Sequence, residues 1–200
     1  MDASKLKIIG VSGTNGSGKD TLGHILAKYH NYLFISVTDL LRDECNKRGL
    51  NIERENLRKI SAEWRAEYGL GVLIDRAINV YNDTKKQYDG LIVSSLRNPG
   101  EADRVHDLGG LVVWLDADSR IRYKRISTGL DKLRSNRASE DNKTFEQFIN
   151  EENAEMYSSR EDKTVLDMAA VREKADIFLL NNLGREQLKA QVDKALGGYS

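Results

Sequence analysis

Apolar positions along the chain fall into short continuous runs and longer helical spacings that alternate with one another. Residues 6–11 form an apolar, β-branched run that suits a buried strand, and from Lys19 onward Leu22, Ile25 and Leu26 recur at helical spacing. Further strands are expected at 32–37, 90–96, 111–115 and 176–180. Helices are expected from Leu40 to Gly49, at 54–68, 70–87 and up to Leu108, after Asp116-Ala-Asp-Ser, and at 144–158, 164–173 and 184–196. Strands separated by helices make a parallel sheet with helices on both faces, so the fold class is α/β, a three-layer sandwich with a five-stranded sheet. Two stretches depart from the alternation. Residues 38–87 hold three helices with no strand between them, which reads as a helical insertion. Residues 129–143 carry Lys132, Arg134, Arg137 and Lys143 with almost no apolar content, which reads as a mobile surface segment, a short lid. The whole chain, 1–200, is expected to be one domain, with core segments 1–37, 88–128 and 144–200.

Local punctuation sharpens two boundaries. Thr38 or Asp39 is placed to cap the helix that carries Leu40, Leu41 and Cys45. In Asn98-Pro-Gly-Glu101, Asn caps, Pro takes the first helical turn and Glu lies within that turn.

Chemistry first appears between the first strand and the first helix. Gly13-Thr-Asn-Gly-Ser-Gly-Lys19 fits the G-x-x-x-x-G-K phosphate loop, the Walker A core. Gly13, Gly16 and Gly18 let successive N–H groups turn inward around an anion, with a helix N-terminus behind them. Asn15 and Ser17 lie in the same loop, and Lys19 is the expected partner of β- and γ-phosphates. The strict motif has Ser or Thr next, as a magnesium ligand. This chain has Asp20 there and Thr21 one later, and Asp20 could hold Mg2+ through water or simply cap the helix.

Composition narrows the partners. The 200 residues contain 31 Lys plus Arg against 31 Asp plus Glu, so no net field favours nucleic acid or an anionic membrane, and any anion must be bound locally. Cys45, the single cysteine, excludes an internal disulfide and a Cys-built metal site, and it reads as a plain helix residue of a reducing compartment. The first residues lack the apolar core of a signal peptide, and no uncharged apolar run reaches about 18 residues. A cytoplasmic protein with a small-molecule partner is therefore expected. His24, His30 and His106 are scattered on helices and carry no assigned chemistry, while Trp64 and Trp114 read as core or pocket wall.

Several of these segments resemble P-loop nucleoside-monophosphate kinases. Gly18-Lys19-Asp20-Thr21 resembles their G-K-x-T variant, in which the Thr approaches the α-phosphate. Ser36-Val-Thr-Asp39-Leu-Leu-Arg42 resembles the S-T-G-D-L-L-R segment of adenylate kinases, whose Arg binds the acceptor's phosphate. The segment Leu91 to Glu101 is similar to a strand ending in a second phosphate-binding Arg, here Arg97. It is closer still to the D-G-I-R-N-P-G-E strand of adenylate-kinase-like and dephospho-CoA-kinase-like proteins, in which Arg65 also finds a match. Ala175-Asp-Ile-Phe-Leu-Leu-Asn181 looks like their A-D-x-V-I-x-N strand, which puts Asn181 near the nucleotide.

The resemblance implies an ATP- and Mg2+-dependent kinase whose γ-phosphoryl acceptor is a (deoxy)nucleoside monophosphate. Lys19 would serve the donor; Asp39, Arg42, Arg65 and Arg97 the acceptor; Arg125, Arg134 and Arg137 a closing lid. Asp39 could organise magnesium's water or act as a base. A dephospho-CoA kinase, with a ribose hydroxyl as acceptor, is the alternative, and a non-catalytic nucleotide sensor is a rival. The departure that motivates the sensor is Ser94, which stands where these families carry an acidic residue that helps hold hydrated magnesium.

Overall fold

The computed structural model describes residues 7–84, 87–128, 144–156 and 162–196. The expected lid at 129–143, with Arg134 and Arg137, lies outside the described residues. Five strands, β1 (Lys7–Gly13), β2 (Tyr32–Ser36), β3 (Gly90–Ser94), β4 (Leu111–Asp116) and β5 (Ile177–Leu180), form one sheet in the order β2-β3-β1-β4-β5. Every pairing is parallel, and β1 lies between β3 and β4.

The sheet is buried on both faces, which is why its central strands read as continuous apolar runs. Ile8, Leu91, Val93 and Val112 face one way, into a cluster with Leu41, Ile60, Trp64, Leu73 and Ala77. The latter side chains come from α2 (Val37–Lys47), α3 (Arg54–Tyr68) and α4 (Val72–Thr84). The three helices expected as an insertion thus form, with α5 (Pro99–Asp107), the outer layer of this face. Ile9, Val11, Ile92 and Leu115 face the other way, against Leu22 and Ile25 of α1 (Lys19–His30) and Leu188 and Val192 of α9 (Arg185–Leu196). The remaining helices are α6 (Ser119–Ser127), α7 (Phe145–Met156) and α8 (Met168–Glu173).

Boundaries differ from expectation where the backbone turns sharply. Strand two ends at Ser36, which is itself the N-cap of α2, so neither Thr38 nor Asp39 caps that helix. Val37 is drawn into the first helical turn because its side chain is buried there. Strand three stops at Ser94 because Ser95 adopts φ +70°, a left-handed conformation that ends an extended run. The Asn98 reading holds: its side chain accepts from the Gly100 N–H, Glu101 reaches back to the N–H groups of Arg97 and Asn98, and α5 begins at Pro99. Among the described residues, no helix is long and apolar enough to cross a membrane.

Candidate active site

The loop between β1 and α1 is clamped from outside by its own lysine and by three neighbouring elements. Lys19 is buried, and its Nζ donates to the carbonyls of Gly13 at 2.9 Å and Thr14 at 2.8 Å. Thr14 Oγ1 donates to Asp116 Oδ1 at 2.6 Å, Arg122 Nη1 to the Asn15 carbonyl at 3.2 Å, and Asn181 Nδ2 to the Ser17 carbonyl at 2.8 Å. These contacts all fall on carbonyls or side chains, the polarity required of a loop that turns its amides toward an anion. Two glycines are obligatory. Gly13, at φ +142°, would put a Cβ 1.9 Å from the Leu115 carbonyl oxygen, and Gly18, at φ +100°, would put one 2.6 Å from Asn181 Nδ2.

Arg122, absent from the expected site, is the main brace of this loop. It is buried, donates from Nε to the Ala117 carbonyl at 2.7 Å and pairs through both terminal nitrogens with Glu152 of α7. In the sequence it is one of four cations on a polar helix; only tertiary packing distinguishes it. Arg125 donates from Nη2 to the Asn181 carbonyl at 2.8 Å, so it stands beside the loop's Asn181 clamp. Among the described residues the Oδ1 atom of Asn181 has no hydrogen-bond partner, and it is buried next to Gly18.

A cavity of about 100 Å³ is built chiefly by four segments, with Ile52 and Leu166 completing its wall. The start of α2 contributes Val37, Thr38, Leu41 and Arg42; α3 contributes Arg54, Leu57, Arg58 and Arg65; the turn after β3 contributes Ser95 and Arg97; and α7 contributes Glu155. The turn is fixed to the phosphate-loop strand, since Leu96 N–H donates to the Val11 carbonyl at 3.2 Å and Ser12 Oγ donates to the Leu96 carbonyl at 2.7 Å. Arg97 is thereby placed at the carboxyl edge of the sheet, beside the loop.

The cations of this cavity have different standing. Arg42 gives Nη1 to Asp39 at 2.7 Å, while its Nε is buried with no hydrogen-bond partner among the described residues. Arg97 Nη1 donates to Glu155 Oε2 at 2.7 Å, and Arg58 Nη2 to Glu155 Oε1 at 3.0 Å; Arg54 Nη1 lies 3.6 Å from the latter oxygen. Burial alone would raise the Glu155 pKa, but Arg97, Arg54 and Arg58 outweigh it and hold the carboxyl below its ordinary value. Neither Arg54, Arg58 nor Glu155 is marked by any motif.

Arg65, expected as an acceptor ligand, is engaged by the protein's own groups. It is 3% exposed and reaches Glu101, 0% exposed, with Nη2 at 2.6 Å and Nε at 3.2 Å; Nη1 goes to the Thr164 carbonyl at 2.8 Å. The same Glu101 accepts the Arg97 N–H at 2.7 Å. Arg65 therefore holds the turn that carries Arg97, from within the cavity wall.

Asp20 and Thr21 open α1, half-buried, directly after Lys19. Ser94, at the end of β3, keeps a buried Oγ without a hydrogen-bond partner among the described residues. Among the described residues no three His, Cys, Asp or Glu side chains converge to bind a metal unaided. A hydroxyl, one carboxylate and an orphaned serine nevertheless suit a hydrated magnesium ion completed by phosphate oxygens, the way this ion is usually held. Trp64 is core, with the Arg76 guanidinium 3.6 Å from its ring centre, and Trp114 is buried in the sheet. Cys45 is a buried helix residue, as expected.

Strand order, phosphate loop and helical layers together define a P-loop nucleotide-binding protein of kinase fold. The chain belongs to the AAA domain family AAA_18, whose model matches residues 9–148. A UPF0200 protein of Thermococcus kodakarensis is 26% identical over 194 residues, covering 94% of this chain and 95% of that protein. A UPF0200 protein of Hyperthermus butylicus is also 26% identical, over 98% of this chain and 96% of the relative. In fold it is similar to TT1252 from Thermus thermophilus, with a TM-score of 0.62 and 16% identity over 98% of both chains. Shikimate kinase from Acinetobacter baumannii, solved in complex with shikimate, gives a TM-score of 0.54 and 19% identity over 96% of this chain and 94% of that one.

Proposed function

We propose that the protein is a cytoplasmic ATP-dependent phosphotransferase that moves the γ-phosphoryl group of ATP to a (deoxy)nucleoside monophosphate or a closely similar nucleotide. The observation that carries this reading is the buried Nε of Arg42, unpartnered among the described residues, in a cavity that also receives Arg54, Arg58 and Arg97, the last on a turn hydrogen-bonded to the phosphate-loop strand. A buried guanidinium N–H without a partner is costly, and an acceptor phosphate would satisfy it.

In this reading the loop of Gly13, Asn15, Gly16, Ser17 and Gly18 cradles the donor's phosphates, Lys19 neutralises charge toward the γ-phosphate, and Asn181 Oδ1 offers an acceptor to the nucleotide. Arg42 and Arg97 orient the incoming phosphate and, with Arg125, offset the charge that spreads over the transferred oxygens. Magnesium, held through water by Asp20, Thr21 and Ser94, would supply further charge neutralisation at the donor phosphates.

A phosphate nucleophile is already ionised at neutral pH and needs no strong base. This suits an acceptor side whose carboxylates, Asp39 and Glu155, are both engaged by arginines. A ribose hydroxyl acceptor would need a free base, so a monophosphate is favoured over dephospho-CoA. ADP-release assays across nucleoside monophosphates and dephospho-CoA test the proposal. Turnover with monophosphates is expected; turnover with dephospho-CoA alone, or ATP binding without transfer to any of them, would overturn it.

A further inference from the structure

The carboxylate of Glu155 sits where the proposed site would hold an acceptor's anion. Among the described residues it is the one acidic side chain lining a cavity that also receives Arg42, Arg54, Arg58 and Arg97, and it takes the donors of Arg97 and Arg58 at 2.7 and 3.0 Å. It belongs to none of the segments that build the acceptor side by chain order; it arrives from α7, whose Glu152 is paired with Arg122 behind the phosphate loop. Glu155 and Arg58, together with Ser61, Arg65 and Leu166, line both this cavity and a second one of about 240 Å³.

We propose that Glu155 is a specificity-determining residue: an internal stand-in for the acceptor's phosphate that must be displaced, so that only a dianionic phosphomonoester, and not a monocarboxylate, enters the arginine cluster. This rests on the phosphotransferase reading for its location but not for its physics. A carboxylate ligand would exchange one carboxylate for another on the same guanidiniums and gain nothing. A phosphate brings a charge of about −1.5 to −2 and three acceptor oxygens, enough to engage Arg97, Arg58 and the orphaned Arg42 Nε together. The displaced Glu155 swings toward solvent and carries the end of α7 with it.

The test uses inorganic phosphate and acetate as probes on the full chain, by calorimetry and thermal shift, with a non-hydrolysable ATP analogue filling the donor loop. Wild type is expected to bind phosphate and not acetate. Glu155→Gln removes the competitor's charge and should bind phosphate at least about tenfold more tightly. The added affinity should vanish when Arg97→Ala is combined with it. Hydrogen exchange on the wild type needs no variant: saturating phosphate should speed amide exchange in α7. Unchanged or weaker phosphate binding in Glu155→Gln, acetate bound as well as phosphate by the wild type, or α7 exchange indifferent to phosphate would each overturn the proposal. The two readings separate cleanly, because the phosphate results stand whether or not any acceptor is phosphorylated, and transfer to monophosphates stands whether or not Glu155 competes.

Discussion

Replacing Arg65 decides whether it braces the site or binds the acceptor. Its guanidinium and the Glu101 carboxylate form an ion pair with 3% and 0% residue exposure, and Glu101 further accepts two backbone N–H groups, from Arg97 at 2.7 Å and Asn98 at 3.2 Å. Removing one partner leaves the other charge buried and uncompensated, which costs about 3–5 kcal/mol. Arg65→Met fills much of the same space without the charge and should therefore lose about that much stability, a fall in Tm of roughly 10 °C for a chain this long. Urea and thermal melts followed by circular dichroism measure it. Arg65→Met combined with Glu101→Leu should recover only part of the loss, because the two N–H groups stay unpaired at about 1–3 kcal/mol each. If Arg65→Met melts within about 2 °C of wild type while the KM for the acceptor rises severalfold, the bracing argument is wrong and Arg65 is a ligand.

Four further outcomes are expected. Lys19→Ala should abolish phosphoryl transfer by a factor of at least about 1,000 while the circular dichroism spectrum stays native, since the lost interactions act on charge developing at the γ-phosphate; residual activity above a tenth would remove Lys19 from the donor site. Gly13→Ala should fold poorly or melt far below wild type, because its Cβ meets the Leu115 carbonyl oxygen at 1.9 Å; a normal melt refutes the loop geometry. Glu155 has a folded pKa below its ordinary 4.5, so its contribution to stability is complete above about 4.5 and lost as pH falls through the lower folded value; the stability gap between wild type and Glu155→Gln, read by urea melts, should narrow only in that acidic window. Burial pushes the Cys45 thiol up, with Glu44 adding to and Arg48 opposing the rise, so a disulfide reagent at pH 8 should modify it only as fast as the protein unfolds.

Read by itself, the sequence was sufficient for the phosphate loop, the alternation of strands and helices, and the placement of Arg42 and Arg97. Each of these follows from local rules: glycines where the backbone must curl around an anion, apolar runs where a strand is covered on both faces, and cations just past strand ends. The cap at Asn98 is equally local in its bonds to Gly100 and Glu101, although the Asn98 side-chain amide also reaches the distant Lys163 and Val165 carbonyls. What only the tertiary structure decided is which charges are buried together. Arg65 and Glu101 are 36 residues apart, Arg122 and Glu152 are 30 apart, and Arg97 and Glu155 are 58 apart. In a chain with as many cations as anions, the sequence alone does not say which of these charges find each other, and it is the loss of water on packing that makes braces of Arg65 and Arg122.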